Sequence, residues 1–206
     1  MDSAQVILCQ GETKVVYKPD FMTPAESSAL LALLCRDKDV WTRDKLRIYG
    51  KEVLSPRKVC AFGDAGTAYR YAGMDRASRA WPRELEAVRD KLEQLLGQRF
   101  NFALCNMYES GRDYIGWHAD EERDIEPGST IASVSLGDVR TFCLRPNARD
   151  SPDTSVDLAD GSLLAMMGTT QATHKHCVPK RTSTKRADRV RINITFRLLR
   201  PRDAAS

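Results

Sequence analysis

Histidine is scarce in this sequence: only His118, His174 and His176 occur among 206 residues. Any chemistry that needs imidazole, whether metal ligation or proton transfer, therefore has three candidates. No run of apolar residues approaches the roughly 18 consecutive positions that a transmembrane helix needs, so we expect no membrane span. The segment Met1–Gln5 lacks the basic and then apolar pattern of a secretory signal.

The six cysteines lack any CxxC spacing. They are scattered along the chain at Cys9, Cys35, Cys60, Cys105, Cys143 and Cys177. Disulfide frameworks and zinc sites typically show regular cysteine spacings. We interpret these residues as reduced thiols, which predicts a cytoplasmic protein, or a nuclear one in a eukaryote.

The net charge is only +4, yet basic residues are concentrated in two segments. Residues 175–191 contain seven basic residues and one acid, and residues 43–58 contain six basic residues and two acids. Such segments are typical of surfaces that bind nucleic acid. A solvated protein surface explains them equally well, so charge alone leaves both interpretations open.

The periodicity of apolar residues predicts two helices and many strands. A capping box at Thr23-Pro24-Ala25-Glu26 predicts a helix that runs to about Cys35. An apolar stripe from Trp81 to Leu96 predicts a second helix, which ends at Gly97. Strands are predicted at Lys14–Lys18, Leu46–Tyr49, Val59–Phe62, Ala68–Tyr71, Phe102–Tyr108, Thr130–Leu136, Thr141–Leu144, Ser162–Met167 and Arg191–Leu199, and a loop at residues 146–157.

Helices followed by many strands favour an α+β fold, in which a jelly-roll core carries helices on the outer face of one sheet. We find no linker or internal repeat, so we expect one domain over residues 1–206.

One short motif combines a histidine with a carboxylate. In the segment Trp117–Glu122, His118 and Asp120 are two positions apart, and in an extended chain residues at this spacing point to the same side. A facial triad that binds Fe(II) needs two histidines and one carboxylate. Both His174 and His176 could supply the second histidine, and the spacing does not choose between them. We expect Trp117, on the opposite side of the strand, to pack in the core.

The C-terminal strand alternates strictly between polar and apolar residues. Its polar face carries Arg191, Asn193, Thr195 and Arg197. This pattern fits a strand with one face in water, and it fits a row of hydrogen-bond donors that lines a pocket. Two arginines six residues apart on one strand lie roughly 20 Å apart, so they cannot grip one carboxylate together.

These motifs resemble the AlkB family of Fe(II)- and 2-oxoglutarate-dependent dioxygenases. The resemblance covers about Ser55 to Arg197 and includes His118-x-Asp120, His176-Cys-Val-Pro and the segment Arg191-Ile-Asn-Ile-Thr-Phe-Arg197, which matches the family's R-x-N-x-T-F-R signature. It implies a double-stranded β-helix core over about residues 100–200 and a nucleotide-recognition lid over about residues 40–75. It also selects His176 as the distal ligand, because the family places this ligand just before an x-x-Pro step. His174 is then expected to be a partly exposed loop residue.

The resemblance implies a role for each matching residue. His118, Asp120 and His176 would bind Fe(II). Asn106, Tyr108, Asn193, Thr195 and Arg197 would hold 2-oxoglutarate, with Arg197 on its distal carboxylate. Arg191, as a catalytic and cosubstrate-binding residue, would lie nearer the metal.

The resemblance further implies residues that contact a flipped base and its strand. Tyr71 would stack on the base, Tyr69 would contact its phosphate, and Glu122 would read an exocyclic amine. Arg57 and Lys58 would contact backbone phosphates. Tyr49 would be the wedge that fills the gap left by the base, although it could equally pack on its own hairpin.

The implied activity is oxidative demethylation of 1-methyladenine and 3-methylcytosine in DNA. The enzyme would use Fe(II) as its metal, consume 2-oxoglutarate and O₂, and release succinate, CO₂ and formaldehyde. RNA and a protein side chain are alternative substrates, and a nucleic-acid-binding jelly roll with a degenerate metal site is an alternative of another class. We expect a monomer whose partner is alkylated DNA.

Overall fold

The computed structural model describes residues 3–48, 50–71, 74–148, 151–181 and 189–201, and the backbone alone at 46–48, 68–71 and 74–76. Fifteen strands and three helices occur in these ranges. In chain order they are β1 (Gln5–Gln10), β2 (Thr13–Lys18), α1 (Pro24–Arg36), β3 (Lys45–Ile48), β4 (Lys51–Leu54), β5 (Lys58–Gly63), β6 (Ala68–Tyr71), β7 (Met74–Ala77), α2 (Arg83–Leu96), β8 (Phe102–Tyr108), β9 (Ile115–His118), β10 (Ile131–Gly137), β11 (Arg140–Pro146), β12 (Thr154–Leu158), β13 (Leu163–Met167), α3 (Thr170–Thr173), β14 (His174–Val178) and β15 (Arg191–Arg197).

The strands form a seven-stranded sheet in the order β1-β2-β13-β10-β15-β8-β5 and a four-stranded sheet in the order β12-β11-β14-β9. Two hairpins, β3-β4 and β6-β7, complete the described fold. Both large sheets are antiparallel throughout. This arrangement is the double-sheet jelly roll that the sequence predicts.

Two apolar clusters hold the layers together. One cluster joins α1 and α2 to the large sheet and includes Leu30, Leu92, Ile192 and Phe196. The other cluster contains residues of both sheets, such as Leu104 and Phe142, and therefore lies between them. Because the even-numbered residues of β15 pack under the helices, its odd-numbered polar residues face the space between the sheets.

The predicted helix signals are confirmed. The Thr23 hydroxyl accepts a hydrogen bond from the Glu26 backbone at 3.2 Å, and the Glu26 carboxylate accepts one from the Thr23 backbone at 2.7 Å. Gly97 ends α2 in the left-handed conformation, with φ of 66°. None of the described helices combines the length and apolarity that crossing a bilayer requires.

The predicted loop at residues 146–157 is wrong in its second half, because Thr154–Leu158 forms β12. β12 pairs only with β11 at the sheet edge, and its alternate side chains are exposed, so it carries little apolar signal. The polar face of β15 is also less exposed than a half-solvated strand would be, since six of its seven residues are buried.

Candidate metal centre

A cross-strand pair brings together two histidines that are far apart in sequence. β9 and β14 are antiparallel neighbours, and His118 lies directly opposite His176. Their ring centroids are 4.2 Å apart. Asp120 follows β9, and its Oδ1 lies 3.7 Å from Nε2 of His118. One ligand atom from each of the three residues lies within 4.8 Å of the others, which is the predicted triad.

The outer nitrogen of His118 is already engaged. Its Nδ1 lies 2.9 Å from the carbonyl oxygen of Gly116. This contact makes Nδ1 the protonated nitrogen and leaves Nε2 as the ligand atom, which is the usual arrangement in metal sites. His176 is buried and stacks against Phe142 of β11 at 5.3 Å between ring centroids. Both imidazoles are therefore fixed by packing.

Burial and neighbouring charges set the protonation states of the three candidate ligands. Burial lowers the pKa of His176 to about 3, helped by the neighbouring His118. Burial also lowers the pKa of His118. Burial would raise the pKa of Asp120, but Arg197 and the two histidines outweigh it and hold this pKa well below its ordinary value. Two neutral imidazoles and one carboxylate face each other, which is the donor set of a facial-triad Fe(II) site.

Arg197 contacts the carboxylate ligand, which corrects the expected order of the two arginines. Its Nη2 donates a hydrogen bond of 2.7 Å to Oδ2 of Asp120, and both side chains are buried. Arg191 was expected near the metal, as a catalytic residue. Since it is six residues away on the same strand, its backbone lies roughly 20 Å from that of Arg197. The C-terminal arginine of the strand therefore lies at the triad.

Arg191 is enclosed at the other end of the strand. Its Nη2 donates to the Ser135 hydroxyl at 2.9 Å, and its guanidinium lies 5.3 Å from the ring centroid of Tyr108. Nε and Nη1 of Arg191 are buried without a hydrogen-bond partner among the described residues. Burial lowers the pKa of Arg191 to about 10, so the group stays charged at neutral pH. Unused donors on a buried cation suit an anionic ligand such as a carboxylate.

A second guanidinium lies near the ring of Tyr108. Arg140 is buried, and its guanidinium lies 5.4 Å from the ring centroid of Tyr108. Its Nη2 donates to the carbonyl oxygens of Asp113 and Pro179, at 2.9 and 2.7 Å. These bonds hold Arg140 to the surrounding loops.

A cavity of about 480 Å³, counted with its mouth, extends from the triad between the two sheets. Its walls include five residues of β8 and β15 that were predicted to bind the cosubstrate. The described residues that line it are Arg57, Leu104, Asn106, Tyr108, Ile115, His118, Asp120, Ser133, Phe142, Met166, His176, Val178, Asn193, Thr195 and Arg197. Asn193 donates to the Ser133 hydroxyl at 2.7 Å.

Arg57 was expected to contact backbone phosphates, and the structure places it in the wall of the cavity. The residue is only 4% exposed, and its Nε donates to Oδ1 of Asn106 at 2.7 Å. The same side chain lines the cavity of the triad. Arg57 is therefore a wall of the site. Lys58, the next residue, points outward instead and pairs with Glu109 at 2.8 Å.

The other predicted substrate residues have different positions. Glu122 is half-buried and lines a neighbouring depression with Asp120 and Gln171. Tyr69 and Tyr71 lie in β6, which pairs with β7 in a hairpin, and their side chains are outside the description. Tyr49 lies outside the described residues.

Two expectations about neighbours of the triad are wrong. Trp117 is 37% exposed, and the guanidinium of Arg145 stacks 3.9 Å from its ring, so it is not a core residue. His174 is buried rather than partly exposed, and its Nδ1 lies 2.9 Å from the hydroxyl of Thr173. The strand alternation explains both results, since residues 174 and 176 point inward and residue 117 points outward.

Several residues that line the cavity were not predicted from the sequence, among them Ser133, Phe142 and Met166. Phe142 and Met166 look like ordinary strand residues and carry no sequence signal. Ser133 and Ser135 do carry one, because they alternate with Ala132, Val134 and Leu136 and so mark the polar face of β10.

Comparison with known proteins agrees with this geometry. The family model of the 2OG-Fe(II) oxygenase superfamily matches residues 14–197. The chain is 42% identical over 166 residues to DNA oxidative demethylase ALKBH2 of Mus musculus, covering 76% of this chain and 67% of the mouse protein. It is 30% identical over 201 residues to alpha-ketoglutarate-dependent dioxygenase alkB homolog 3 of Homo sapiens, covering 93% of this chain and 68% of the human protein.

A solved structure supports the fold. The structure of OsALKBH1 superposes with a TM-score of 0.66 and covers 94% of this chain and 99% of its own, at 16% identity. At this identity the likeness concerns the fold alone. The chain spans 60% of the length of human ALKBH2 and 67% of the mouse protein.

Proposed function

Because the chain belongs to the AlkB family of the 2OG-Fe(II) oxygenase superfamily, we propose that it is an oxidative demethylase of N-alkylated bases in DNA. The observation that carries this proposal is the convergence of His118, Asp120 and His176 at the cavity between the sheets. The curated relatives named DNA oxidative demethylase support the substrate class. The lesions proposed are 1-methyladenine and 3-methylcytosine, with RNA as a further substrate.

The triad would hold Fe(II) through Nε2 of His118, one nitrogen of His176 and the carboxylate of Asp120. When bound, Fe(II) with 2-oxoglutarate and O₂ supplies the oxidation of an N-methyl C–H bond, and the net reaction yields succinate, CO₂ and a hydroxymethylated base that loses formaldehyde. The protein contributes position and electrostatics. Arg197 keeps the carboxylate of Asp120 ionised, and Gly116 keeps the His118 tautomer.

The polar face of β15 would bind 2-oxoglutarate between its two arginines. Arg191 would pair with the distal carboxylate, because two of its buried donors have no partner among the described residues. Tyr108 and Ser135 limit where this guanidinium can move. Asn106, Asn193 and Thr195 line the cavity between the two ends and would contact the rest of the cosubstrate.

The base would enter the same cavity after leaving the stack, as such enzymes require. Arg57 is the group best placed to meet the flipped nucleotide, since it lines the cavity next to the triad. Residues 40–75 would form the lid, with Tyr71 stacking on the base, Tyr69 on its phosphate and Tyr49 as the wedge. Lys58 would contact a backbone phosphate and Glu122 the exocyclic amine.

We also propose a monomer in a reducing compartment, the cytoplasm or the nucleus. All six cysteines are free in the structure, and three of them are buried, which supports that compartment. Sedimentation of the purified chain would test the monomer.

The experiment is a side-by-side demethylation assay on oligonucleotides with one 1-methyladenine or 3-methylcytosine. Single-stranded DNA, duplex DNA and RNA of the same sequence are compared, each with wild type and His118→Ala. The proposal expects loss of the methyl group from at least one DNA form and none with His118→Ala. Repair of RNA alone would make the enzyme an RNA demethylase, and equal repair by His118→Ala would overturn the metal assignment.

A further inference from the structure

The carboxylate ligand is held at its backbone as well as at its side chain. The backbone N–H of Asp120 donates a hydrogen bond of 2.9 Å to Oε1 of Gln171. Gln171 lies in α3, the single turn that connects β13 to β14, and β14 carries His176. One glutamine side chain therefore joins the segment with the first two ligands to the segment that leads to the third.

The turn that carries this glutamine is firmly anchored. The hydroxyl of Thr13 in β2 shares hydrogen bonds of 2.8 and 2.9 Å with the hydroxyls of Thr169 and Thr173. On the other side, Asn147 donates its backbone N–H to the carbonyl of Thr173 and its side-chain amide to that of Ala172, both at 2.9 Å. Because α3 is hydrogen-bonded to residues of both large sheets or next to them, the side chain of Gln171 extends from a fixed backbone position.

The amide of Gln171 is used at both ends. While Oε1 accepts from Asp120, Nε2 donates to Sδ of Met166 at 3.3 Å. Met166 is itself buried and lines the cavity of the triad. The two contacts fix the amide plane, so Oε1 cannot turn away from the backbone of Asp120 without losing the other bond.

We infer that Gln171 is a positioning residue of the metal centre, which sets where the Asp120 backbone presents its carboxylate. The inference rests on the proposed function. Oδ2 of Asp120 is taken by Arg197, and Oδ1 lies 3.7 Å from Nε2 of His118. A shift of the backbone would move Oδ1 away from the two imidazoles. Groups that orient a metal ligand typically change metal affinity by about 10- to 100-fold when they are lost.

The test measures binding of Mn(II), an oxygen-stable stand-in for Fe(II), by calorimetry with the full chain at pH 7. Gln171→Leu keeps the size of the side chain and removes its acceptor, and we expect Mn(II) to bind about 10-fold or more weakly. Gln171→Glu keeps an acceptor for the Asp120 N–H and should stay within about threefold of wild type. Gln171→Asn, which is one methylene too short, replaces the leucine variant if that variant does not fold.

Gln98 provides a matched control. Gln98 bonds the backbone of Thr130 in the same way, with Oε1 accepting at 2.7 Å and Nε2 donating at 2.9 Å. Gln98→Leu should lower the melting temperature without changing Mn(II) affinity. The inference is overturned if Gln171→Leu binds Mn(II) within twofold of wild type, or if Gln98→Leu weakens binding equally. If wild type itself binds no Mn(II), the proposed function fails together with the inference.

Discussion

Arg197 and Asp120 form a buried ion pair, with 2.7 Å between Nη2 and Oδ2. The pair links the C-terminal signature strand to the His-x-Asp motif, 77 residues earlier in the chain. It keeps one oxygen of the carboxylate occupied and the whole group ionised. The pair thus couples the stability of the fold to the charge of the metal centre.

Removing Arg197 should therefore be costly. Arg197→Leu leaves the Asp120 carboxylate buried without its main cation, and breaking such a pair typically costs about 3–5 kcal/mol. Urea unfolding of the metal-free chain at pH 7 measures this cost. The control is Asp153→Asn, because Arg145 and Asp153 form an equally short but exposed pair, at 2.6 Å. That change should cost no more than about 1 kcal/mol. Equal costs for the two variants would contradict the coupling.

Arg191 should control the affinity for 2-oxoglutarate and leave the metal alone. Truncating one partner of a buried charged pair typically costs about 2–5 kcal/mol, and each 1.4 kcal/mol is tenfold in affinity. We expect Arg191→Leu to weaken 2-oxoglutarate binding by at least about 30-fold, with Arg191→Lys between it and wild type. Calorimetry first measures the affinity of each variant for Mn(II) and then the affinity of the Mn(II)-loaded enzyme for 2-oxoglutarate. A loss of Mn(II) affinity in Arg191→Leu would show that this arginine acts at the metal.

The two distal histidines should behave differently despite their shared strand face. His176→Ala removes a ligand and should abolish tight Mn(II) binding. His174→Ala removes a side chain that bonds Thr173 and should leave Mn(II) affinity within about threefold of wild type, although it creates a cavity. Parallel titrations of both variants check this prediction. Loss of Mn(II) binding in His174→Ala would show that the distal ligand is misassigned.

Glu109 should make a small, pH-dependent contribution to the free energy of unfolding. Lys58 and then Arg43 lower its pKa below the ordinary value of 4.5. A lowered pKa stabilises the folded state at a pH above the unfolded-state pKa, and this contribution is lost as the pH falls through the folded-state value. Because the pair is partly exposed, Glu109→Gln should cost less than about 1 kcal/mol at pH 7 and nothing well below the folded-state pKa. Urea unfolding across this pH range tests it; a cost that persists in acid would point to packing instead.

The sequence predicts elements whose signals are local. α1 and α2 carry their own caps and apolar stripes, so their bounds follow from neighbouring residues. β9 and β14 hold the histidine ligands, yet they are short and about half of their residues are glycine, histidine or lysine. Their existence depends on pairing with each other across 58 residues of chain, which a local pattern does not encode.

Predictions about the site also divide into those that rest on local signals and those that depend on long-range contacts. Spacing places Arg191 and Arg197 on one strand face, but the direction of β15 relative to β9 decides which arginine meets the metal, and this is a property of the sheet order. The resemblance implies that Arg57 contacts phosphates, whereas its hydrogen bond to Asn106 holds it in the cavity wall. Both outcomes depend on long-range contacts, while the triad itself was predictable because the family motif names its members.

The most direct test of the central claim is product stoichiometry. The wild-type chain is supplied with Fe(II), 2-oxoglutarate, O₂ and single-stranded DNA containing 1-methyladenine, and succinate, formaldehyde and repaired adenine are quantified together. We predict one of each per turnover, and none of the three above background in Asp120→Ala. Succinate without formaldehyde, or repair that continues in Asp120→Ala, would contradict it.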